Sequence, residues 1–486
     1  MSETSNTKTN ISAVRQSQLE AEEAGYEKSL GRRQMQMIAI GGAIGTGLFL
    51  GAGGRLEKAG PSLAVVYLIC GIFGFFILRA LGEMVLHRPA SGAIVSYTRE
   101  FIGEHAAFVS GWLYFMFWAL TGIVDATAVA TYMKYWGLSN DSNQWLIALL
   151  CIALVTMVNL IGVKYFGEME FWFAVIKVTA LVLFLVVGLV FVGGRIPVNG
   201  VAPGFHMISE NGGLFPHGFL PAVIITQGVV FAYAGIEMVG VAAGETENPE
   251  KVVPKAVNAV IWRIAIFYVG AVVLLVMLMP FSKYQADESP FVTFFNSIGV
   301  PGAGSVMNFV VITAALSSLN SGVFATARTL RSMGMAGAAP SFTKKMNKNH
   351  VPVGGILLTV SVSLLGVFLN YIMPAQAFEI VLNYSSLGII CVWIMIMLTH
   401  LAYRKAIAEG KVVEKNKTFK LMFSPITNYV TIGFLLLVLV LMYFDKPVGQ
   451  WTILSIPLIA VVFFIGWKIA KPKIKEVDER WKENDK

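Results

Sequence analysis

Long apolar runs alternate with short polar segments along almost the whole chain, and this pattern predicts a helical membrane protein. Each run is close to the ~20 residues that an α-helix needs to cross the hydrocarbon core of a bilayer. The predicted fold class is therefore all-α, a polytopic membrane protein with twelve transmembrane helices. We expect these helices near 35–56, 61–86, 104–135, 145–162, 168–193, 216–243, 256–281, 299–334, 353–372, 376–402, 423–444 and 450–470.

The first apolar run contains a glycine cluster that a continuous helix would not need. Seven of the fourteen residues at 41–54 are glycine, although each glycine in a helix interior costs about 1 kcal/mol relative to alanine. One interpretation is an interruption at residues 44–47, where backbone polar groups would face a cavity or a ligand. The other is close helix packing, because small residues recur four positions apart at Gly41, Gly45, Gly47 and Gly51.

The sixth apolar run repeats this anomaly, with Gly235 in its middle and Glu237 close beside it. A carboxylate near the bilayer centre costs about 2.5–3.5 kcal/mol on insertion scales, so it usually faces a protein interior or a wet cavity. Two interrupted runs five helices apart favour a five-plus-five inverted repeat with broken helices 1 and 6 and a site at the midplane. This divides the chain into an N-terminal tail (1–34), a first repeat (35–194), a second repeat (195–402), a loop (403–422), two further helices (423–470) and a C-terminal tail (471–486).

Composition agrees with the membrane prediction, and the distribution of charge orients the chain. Hydrophobic residues make up 56% of the sequence and charged residues 14%, against roughly 25% charged residues in soluble domains. The net charge is +8, but Lys177 lies inside a predicted span and only six of the 37 Lys and Arg residues lie in the loops opposite the termini: Arg55, Lys58, Lys134, Arg195, Lys283 and Lys446. By the positive-inside rule, both termini and the loop at 403–422 are cytoplasmic. The basic surplus therefore gives no reason to expect nucleic acid as a partner.

Neither a metal site nor a disulfide framework is indicated. Cys70, Cys151 and Cys391 each lie alone in an apolar run, and the six histidines show no metal-ligand spacing. We therefore expect no metal and no cofactor.

Seven motifs together resemble the bacterial amino acid permeases of the amino acid, polyamine and organocation superfamily. They are GGAIGTGLFLG (41–51), AGP (59–61), LGEM (81–84), FGEMEFWFAVIK (166–177), FAYAGIEMVG (231–240), AGETENP (243–249) and SSLNSG (317–322). The resemblance covers essentially residues 28–470. It implies a LeuT-like fold and secondary transport of an amino acid, usually coupled to protons, in the cytoplasmic (inner) membrane of a bacterium.

Further segments within this resemblance imply L-asparagine as the substrate. They are LHRPASG (86–92), WALTGIVDATAVA (118–130) and the stretch at 22–53. D-serine, D-alanine and glycine remain alternative substrates, because permeases for them share much of the pattern. The expected partners are the amino acid and the lipid bilayer, the expected energy source is the proton gradient, and the expected oligomeric state is a monomer.

The resemblance also implies which groups hold the substrate. Backbone N–H groups of Thr46 and Gly47 would bind its carboxylate, and carbonyls of Ala43, Phe231 and Ala234 would accept from its ammonium. Helix ends favour this arrangement, because the N-terminal end carries partial positive charge and the C-terminal end presents free carbonyls. The candidate substrate-binding residues are Ala43, Ile44, Gly45, Thr46, Gly47, Phe231, Ala234, Gly235, Gln227 and Tyr233.

Three buried titratable residues are candidates for proton coupling: Lys177, Glu237 and Asp125. The resemblance implies that the Lys177 ammonium replaces the cation of sodium-driven relatives, whereas the alternative is a snorkelling or structurally paired lysine. Glu237 either takes part in gating and proton transfer or ties the interrupted helix to its neighbours. Asp125 either selects substrate or carries a proton, or it forms an ordinary interhelical hydrogen bond.

Several other side chains are candidates for lesser roles, each against a plain packing role. Thr121, Asn383, Tyr384 and Ser385 could join Gln227 and Tyr233 in hydrogen bonding a carboxamide, and Phe231 could close over the substrate. Ser317, Ser318 and Ser321 are expected near Lys177. Arg79 and Glu83, four residues apart on one helix, predict a structural ion pair.

Other classes of function are less well supported by the sequence. A channel would need a continuous polar stripe, which no run shows, and an enzyme would need a nucleophile with a base or a metal-binding motif such as HExxH. A sensor that binds an amino acid without transporting it would keep the same site. The sequence therefore predicts a transporter and not an enzyme, with a sensor as the remaining alternative.

Overall fold

The protein is described from a computed structural model, which covers residues 25–26, 30–31, 33–34, 37–38, 44–286, 288–374, 376–416 and 418–484. Helices account for most of these residues, because the apolar runs can satisfy their backbone polar groups only internally in lipid. Within these ranges the sole β pairings are isolated bridges, so the mostly helical prediction is confirmed.

The α-helices of the described ranges are numbered here in chain order. They are α1 (Thr46–Phe49), α2 (Gly51–Ala59), α3 (Leu63–His87), α4 (Ala93–Phe101), α5 (Glu104–Met133), α6 (Gln144–Ile161), α7 (Val163–Gly194), α8 (His206–Glu210), α9 (Phe219–Ile224), α10 (Thr226–Ala232), α11 (Met238–Ala242), α12 (Pro249–Arg263), α13 (Ala271–Leu278), α14 (Pro290–Ser297), α15 (Ala303–Met335), α16 (Val353–Ile372), α17 (Ala377–Ala408), α18 (Ile426–Met442), α19 (Val448–Leu454) and α20 (Ile456–Asn484). A π-helical stretch, Ile264–Gly270, joins α12 to α13.

Nine helical runs in the described ranges are long and apolar enough to cross a membrane, and two shorter apolar helices, Phe219–Ala232 and Ile426–Met442, accompany them. The first run, Thr46–His87, overlaps the first predicted span from Thr46 onward and contains the second. The other eight runs and the two shorter helices overlap the remaining ten predicted spans. The existence of these segments was therefore predictable even where their ends were not.

Helices α5 and α15 form the centre of the bundle and pack against each other, and α17 packs against α5. The most apolar windows of the runs that contain α5 and α15 are 78% and 83% buried, whereas the window in Val448–Arg480 is only 6% buried. The helices with the polar interior positions are therefore central, and the uniformly apolar C-terminal run lies at the edge.

Two described segments that face this centre are not α-helical, residues 44–45 and residues 233–237. Together with the helical turns that adjoin them, they are called here the first and the second interruption. Gly45 is extended, with φ −132° and ψ −160°, and α1 begins at the next residue. At the second interruption α10 ends at Ala232 and α11 begins at Met238, with Gly235 between them at φ +100°. Only glycine adopts such a positive φ readily. Helix α1 contacts α10, α5 and α15, so both interruptions meet at the core.

A short piece of the N-terminal region is tied to the loop after the second interruption. Leu30 pairs with Thr246 as a parallel β-bridge, and its N–H donates to the carbonyl of Glu245 at 3.2 Å. The Glu245 carboxylate forms a fully buried ion pair with Arg328 on α15. The loop at 243–248 is thus anchored on one side by the bundle and on the other by Leu30.

The predicted ion pair between Arg79 and Glu83 is wrong. Arg79 donates instead to the side chain of Asn258 at 2.5 Å and to the carbonyl of Lys420 at 3.0 Å. Glu83 bonds Arg404 at 2.9 Å and His400 at 3.1 Å. Both residues therefore tie α3 to other segments, because a buried carboxylate gains more from several fixed donors than from one flexible neighbour on its own helix.

Candidate functional site

A small cavity lies where the two interruptions meet. Its walls come from both interrupted segments and from the two central helices, which supply aromatic, hydroxyl and backbone groups. The lining residues are Gly45, Thr46, Gly47, Phe117, Trp118, Thr121, Phe231, Ala232, Ala234 and Ser318.

The first interruption approaches the second at backbone distance. A Cβ built on Gly47 would lie 2.5 Å from the Cα of Ala232, so no larger residue fits here without moving one segment. The Gly47 carbonyl accepts from the guanidinium of Arg55 at 2.9 Å and from the hydroxyl of Tyr67 at 3.4 Å. The N–H groups of Leu48 and Phe49 donate to the Gly45 carbonyl. Within the short helix α1 it is therefore the N–H groups of Thr46 and Gly47 that lack a helical partner.

The second interruption is braced by its own acid. The N–H of Gly235 donates to Glu237 at 3.0 Å, and the carboxylate, which is only 1% exposed, does not line the cavity. The Phe231 carbonyl already accepts from the N–H of Ala234 at 3.0 Å, which leaves one lone pair for a ligand.

Asp125 connects the first interruption to α5. It is fully buried, and one carboxylate oxygen accepts from the Thr46 hydroxyl at 2.8 Å. Ser318 of the cavity wall also interacts with this carboxyl, although the second oxygen has no hydrogen bond of ordinary geometry among the described residues. The Asp125 carboxylate can therefore accept a further hydrogen bond, and it is connected to the cavity through Thr46, which lines the wall.

Lys177 lies in a buried polar network between α7 and α15. Its ammonium donates to the Ser317 hydroxyl at 2.8 Å, and that hydroxyl donates in turn to Glu170. Asn320 donates to the other Glu170 oxygen at 3.4 Å and accepts from Asn159 at 2.8 Å. Lys177 is 1% exposed, so this is an interior cation and not a snorkelling one.

The candidate substrate-binding residues divide into two groups. Gly45, Thr46, Gly47, Phe231 and Ala234 line the cavity. The others do not, and they fall into three cases. Ile44 and Gly235 belong to the interruptions without lining the cavity, the side chains of Gln227 and Tyr233 bond elsewhere, and Ala43 lies outside the described residues.

Gln227 and Tyr233 hold the structure around the site. Gln227 donates to Asp445 at 3.3 Å. The Tyr233 hydroxyl donates to the carbonyl of Tyr67 at 2.8 Å, and its ring stacks on that of Tyr268 with centroids 4.5 Å apart. The Tyr233 side chain is therefore fully engaged, whereas the Gln227 amide oxygen has no partner among the described residues but does not line the cavity.

Two of the other polar candidates line the cavity, Thr121 and Ser318. The Thr121 hydroxyl shares a 2.6 Å hydrogen bond with Ser385, which adjoins the wall from α17. Asn383 donates to the carbonyl of Glu379 at 3.0 Å. Ser317 bonds Lys177 as expected, whereas Ser318 faces the cavity.

Sequence reasoning missed four residues of this region. Phe117, Trp118 and Ala232 line the cavity, but an aromatic or alanine inside a long apolar helix carries no signal of its own. Glu170 did carry one. It lies seven residues before Lys177, and positions two turns apart share a helix face.

These groups together suit a small zwitterion. Helix starts attract an anion, and free carbonyls at helix ends attract a cation. The aromatic wall from α5 adds apolar contact, and Thr121 and Ser318 can donate or accept hydrogen bonds.

Comparisons with known proteins agree on one family. A family model described as "Amino acid permease" matches residues 34–479. The chain is 60% identical over 465 residues to a protein named L-asparagine permease from Salmonella typhimurium, covering 96% of this chain and 93% of that protein. The protein of the same name from Escherichia coli shows the same values. A third, from Streptomyces coelicolor, is 56% identical, covering 92% of this chain and 91% of that protein.

A solved structure supports the fold. The structure described as "Crystal structure of MhsT in complex with L-phenylalanine" matches with a TM-score of 0.59 and covers 84% of this chain and 98% of that chain. At 16% sequence identity, this likeness concerns the fold alone.

Proposed function

The chain belongs to the amino acid permease family, and on that premise we propose that it imports L-asparagine by proton symport. It is a multi-pass membrane transporter and not an enzyme. The observation that carries the proposal is the cavity between two helix interruptions, in a chain 60% identical to proteins named L-asparagine permease.

The proposed architecture is a LeuT-like bundle of twelve transmembrane helices. Spans 1–5 and 6–10 form inverted repeats, the segments around Gly45 and Gly235 are the breaks of spans 1 and 6, and two further helices follow. Alternating access would then move one part of the bundle against the other around the fixed cavity. The proposed setting is a bacterial cytoplasmic membrane with both termini in the cytoplasm, and the proposed unit is a monomer.

The substrate is proposed to bind with its two charged ends on opposite interruptions. The carboxylate meets the N–H groups of Thr46 and Gly47, and the ammonium meets the carbonyls of Phe231 and Ala234, together with that of Ala43. Thr121 and Ser318 are the cavity residues available to the side-chain carboxamide. A buried polar pair of this kind rejects analogues that leave it without a partner.

Proton coupling is proposed to involve Asp125 and Lys177. Asp125 bonds the cavity residue Thr46, and its charge is close enough to act on Lys177. Glu237 is a less direct candidate, because its carboxylate braces the second interruption. A co-transported proton gains about 2.3 kcal/mol per 100 mV, which at about 1.4 kcal/mol per tenfold supports roughly fiftyfold accumulation.

Uptake of labelled L-asparagine into proteoliposomes tests this function. We expect accumulation that requires an inward proton gradient and that unlabelled L-asparagine competes more strongly than the other nineteen amino acids and D-serine. Uptake indifferent to the gradient would refute symport, and stronger competition by D-serine, D-alanine or glycine would replace the substrate. A sensor would be protected by asparagine against unfolding yet show no counterflow exchange.

A further inference from the structure

The buried network around Lys177 contains the carboxylate of Glu170, which has no role in the proposed function described above. Glu170 is fully buried on α7, two turns before Lys177. Both of its oxygens have partners, Ser317 and Asn320. An interior carboxylate is expensive unless it is paired with a cation and fully hydrogen bonded, and the cation of this network is Lys177.

The hydrogen bonds through Ser317 link the charge of Glu170 to the charge of Lys177. A serine hydroxyl has one proton to donate, and Ser317 gives it to Glu170. Its lone pairs are then left to accept from the Lys177 ammonium, which lies 2.8 Å away. The hydrogen bonds therefore run in one direction, from the Lys177 ammonium to the Ser317 hydroxyl and from that hydroxyl to the Glu170 carboxylate. This arrangement favours the charged forms of both Lys177 and Glu170.

We propose that Glu170 is a positioning residue for proton coupling, which holds the Lys177 ammonium charged and in place through Ser317. This rests on the proposed proton symport and deepens it. Two carboxylates then act electrostatically on Lys177, Asp125 from α5 and Glu170 from its own helix. Asp125 reaches the cavity through Thr46, whereas Glu170 is anchored to α15 and α6 through Asn320 and Asn159.

The two carboxylates therefore differ in what they can do. Asp125 interacts with two residues that line the cavity, Thr46 and Ser318, so it can respond to the cavity. Each Glu170 oxygen already accepts a hydrogen bond from a buried residue of α15, so Glu170 can supply a constant counter-charge. Without it, the ammonium would be left with less compensation in the bundle interior and would favour the neutral amine.

The test compares Glu170→Gln with Glu170→Asp and with Glu168→Gln in proteoliposomes. Glu168 lies on the same helix but is only partly buried and bonds Arg33 and Gln34, so its variant is a matched carboxylate removal outside the Lys177 network. We expect Glu170→Gln to lose gradient-driven accumulation, from roughly fiftyfold to onefold at 100 mV, while counterflow exchange persists. Glu170→Asp should recover part of the accumulation, and Glu168→Gln should accumulate as the wild type does.

A double variant separates action through Lys177 from a general effect on stability. If Glu170 acts through Lys177, Glu170→Gln should change nothing further in a Lys177→Met background, because the two effects are not additive. The double variant should also be at least as thermally stable as Glu170→Gln, since removing both charges leaves no orphan in the interior. This prediction holds even if the single variant fails to fold.

Three results would overturn the proposal. They are full gradient-driven accumulation by Glu170→Gln, equal loss of accumulation and exchange, and a double variant that is less stable than either single variant. A wild-type protein without gradient-driven accumulation would overturn proton symport itself, and the role of Glu170 with it.

Discussion

The two helix interruptions look alike in sequence but are stabilised in different ways. The first depends on other helices, because Thr46 bonds Asp125 on α5 and the Gly47 carbonyl is held by Arg55 and Tyr67. The second is also tied to other segments, through the hydroxyls of Tyr233 and Tyr268, but it has in addition a brace of its own, because Glu237 accepts from the N–H of Gly235. The geometry of the first break therefore depends on the positions of other helices. The second break has a local brace that can keep its geometry when those helices move.

The largest expected effect comes from filling the contact between the two breaks. Gly47→Ala puts a Cβ 2.5 Å from the Cα of Ala232, so one segment must move and the cavity wall is lost. We expect asparagine uptake to fall by roughly a hundredfold or more, since a 1 Å misplacement costs about that in other sites. Gly433→Ala on α18, with open space around its Cβ position, should keep wild-type uptake; equal rates for both variants would contradict the close approach.

A large effect is also expected at the first break when its link to α5 is cut. Thr46→Val removes the hydroxyl that bonds Asp125 and leaves a buried carboxylate with fewer donors, which costs about 1–3 kcal/mol. Asparagine affinity, measured by thermal stabilisation, should fall by roughly 5- to 100-fold, with 1.4 kcal/mol per tenfold. Thr46→Ser keeps the hydroxyl and is the control, so a loss as large as that of the valine variant would count against the hydrogen bond.

The second break should tolerate loss of charge better than loss of the acceptor. Glu237→Gln keeps a side-chain oxygen for the Gly235 N–H, whereas Glu237→Ala removes it and should lower stability by about 1.5–3 kcal/mol. We therefore expect the alanine variant to melt earlier and the glutamine variant to retain most gradient-driven uptake. If glutamine abolishes coupling while exchange persists, Glu237 carries the proton and the contrast between the breaks is reversed.

The smallest expected effect concerns the hydroxyl pair beside the cavity. Thr121→Val removes the 2.6 Å hydrogen bond to Ser385, but Ser385 also donates to the carbonyl of Phe117 at 3.1 Å. Stability should therefore change by less than ~1.5 kcal/mol. Asparagine should be discriminated less well from alanine in competition assays, and unchanged discrimination would remove Thr121 from the set of carboxamide ligands.

Much of the fold was predictable, because it follows from the spacing of apolar runs. Gly235 also lies in the non-helical segment after α10, and Gly45 immediately precedes α1, whereas Gly47 lies within α1. Side-chain partners were less accessible. Arg79 and Glu83 share a helix, yet each bonds a different segment, and no local pattern encodes which segment will be near. Gln227 and Tyr233 have the right chemistry for a ligand but point to Asp445 and Tyr67.

The helix face of α7 shows what a periodic pattern does encode. Its buried positions include Phe166, Glu170, Ala174, Lys177 and Phe184, which recur three, four or seven residues apart. Reading outward from Lys177 by two turns would have found Glu170. The bond through Ser317 could not be read this way, because it depends on how α15 packs against α7.

The bridge between Leu30 and Thr246 constrains how this molecule can open. Leu30 comes shortly before the first break, and Thr246 comes shortly after the second. Main-chain hydrogen bonds therefore join Leu30 to the loop at 243–248. The Glu245–Arg328 ion pair joins the same loop to α15. A movement of the loop at 243–248 alone would break either its main-chain hydrogen bonds to Leu30 or its ion pair with Arg328, so we expect Leu30, this loop and α15 to move together.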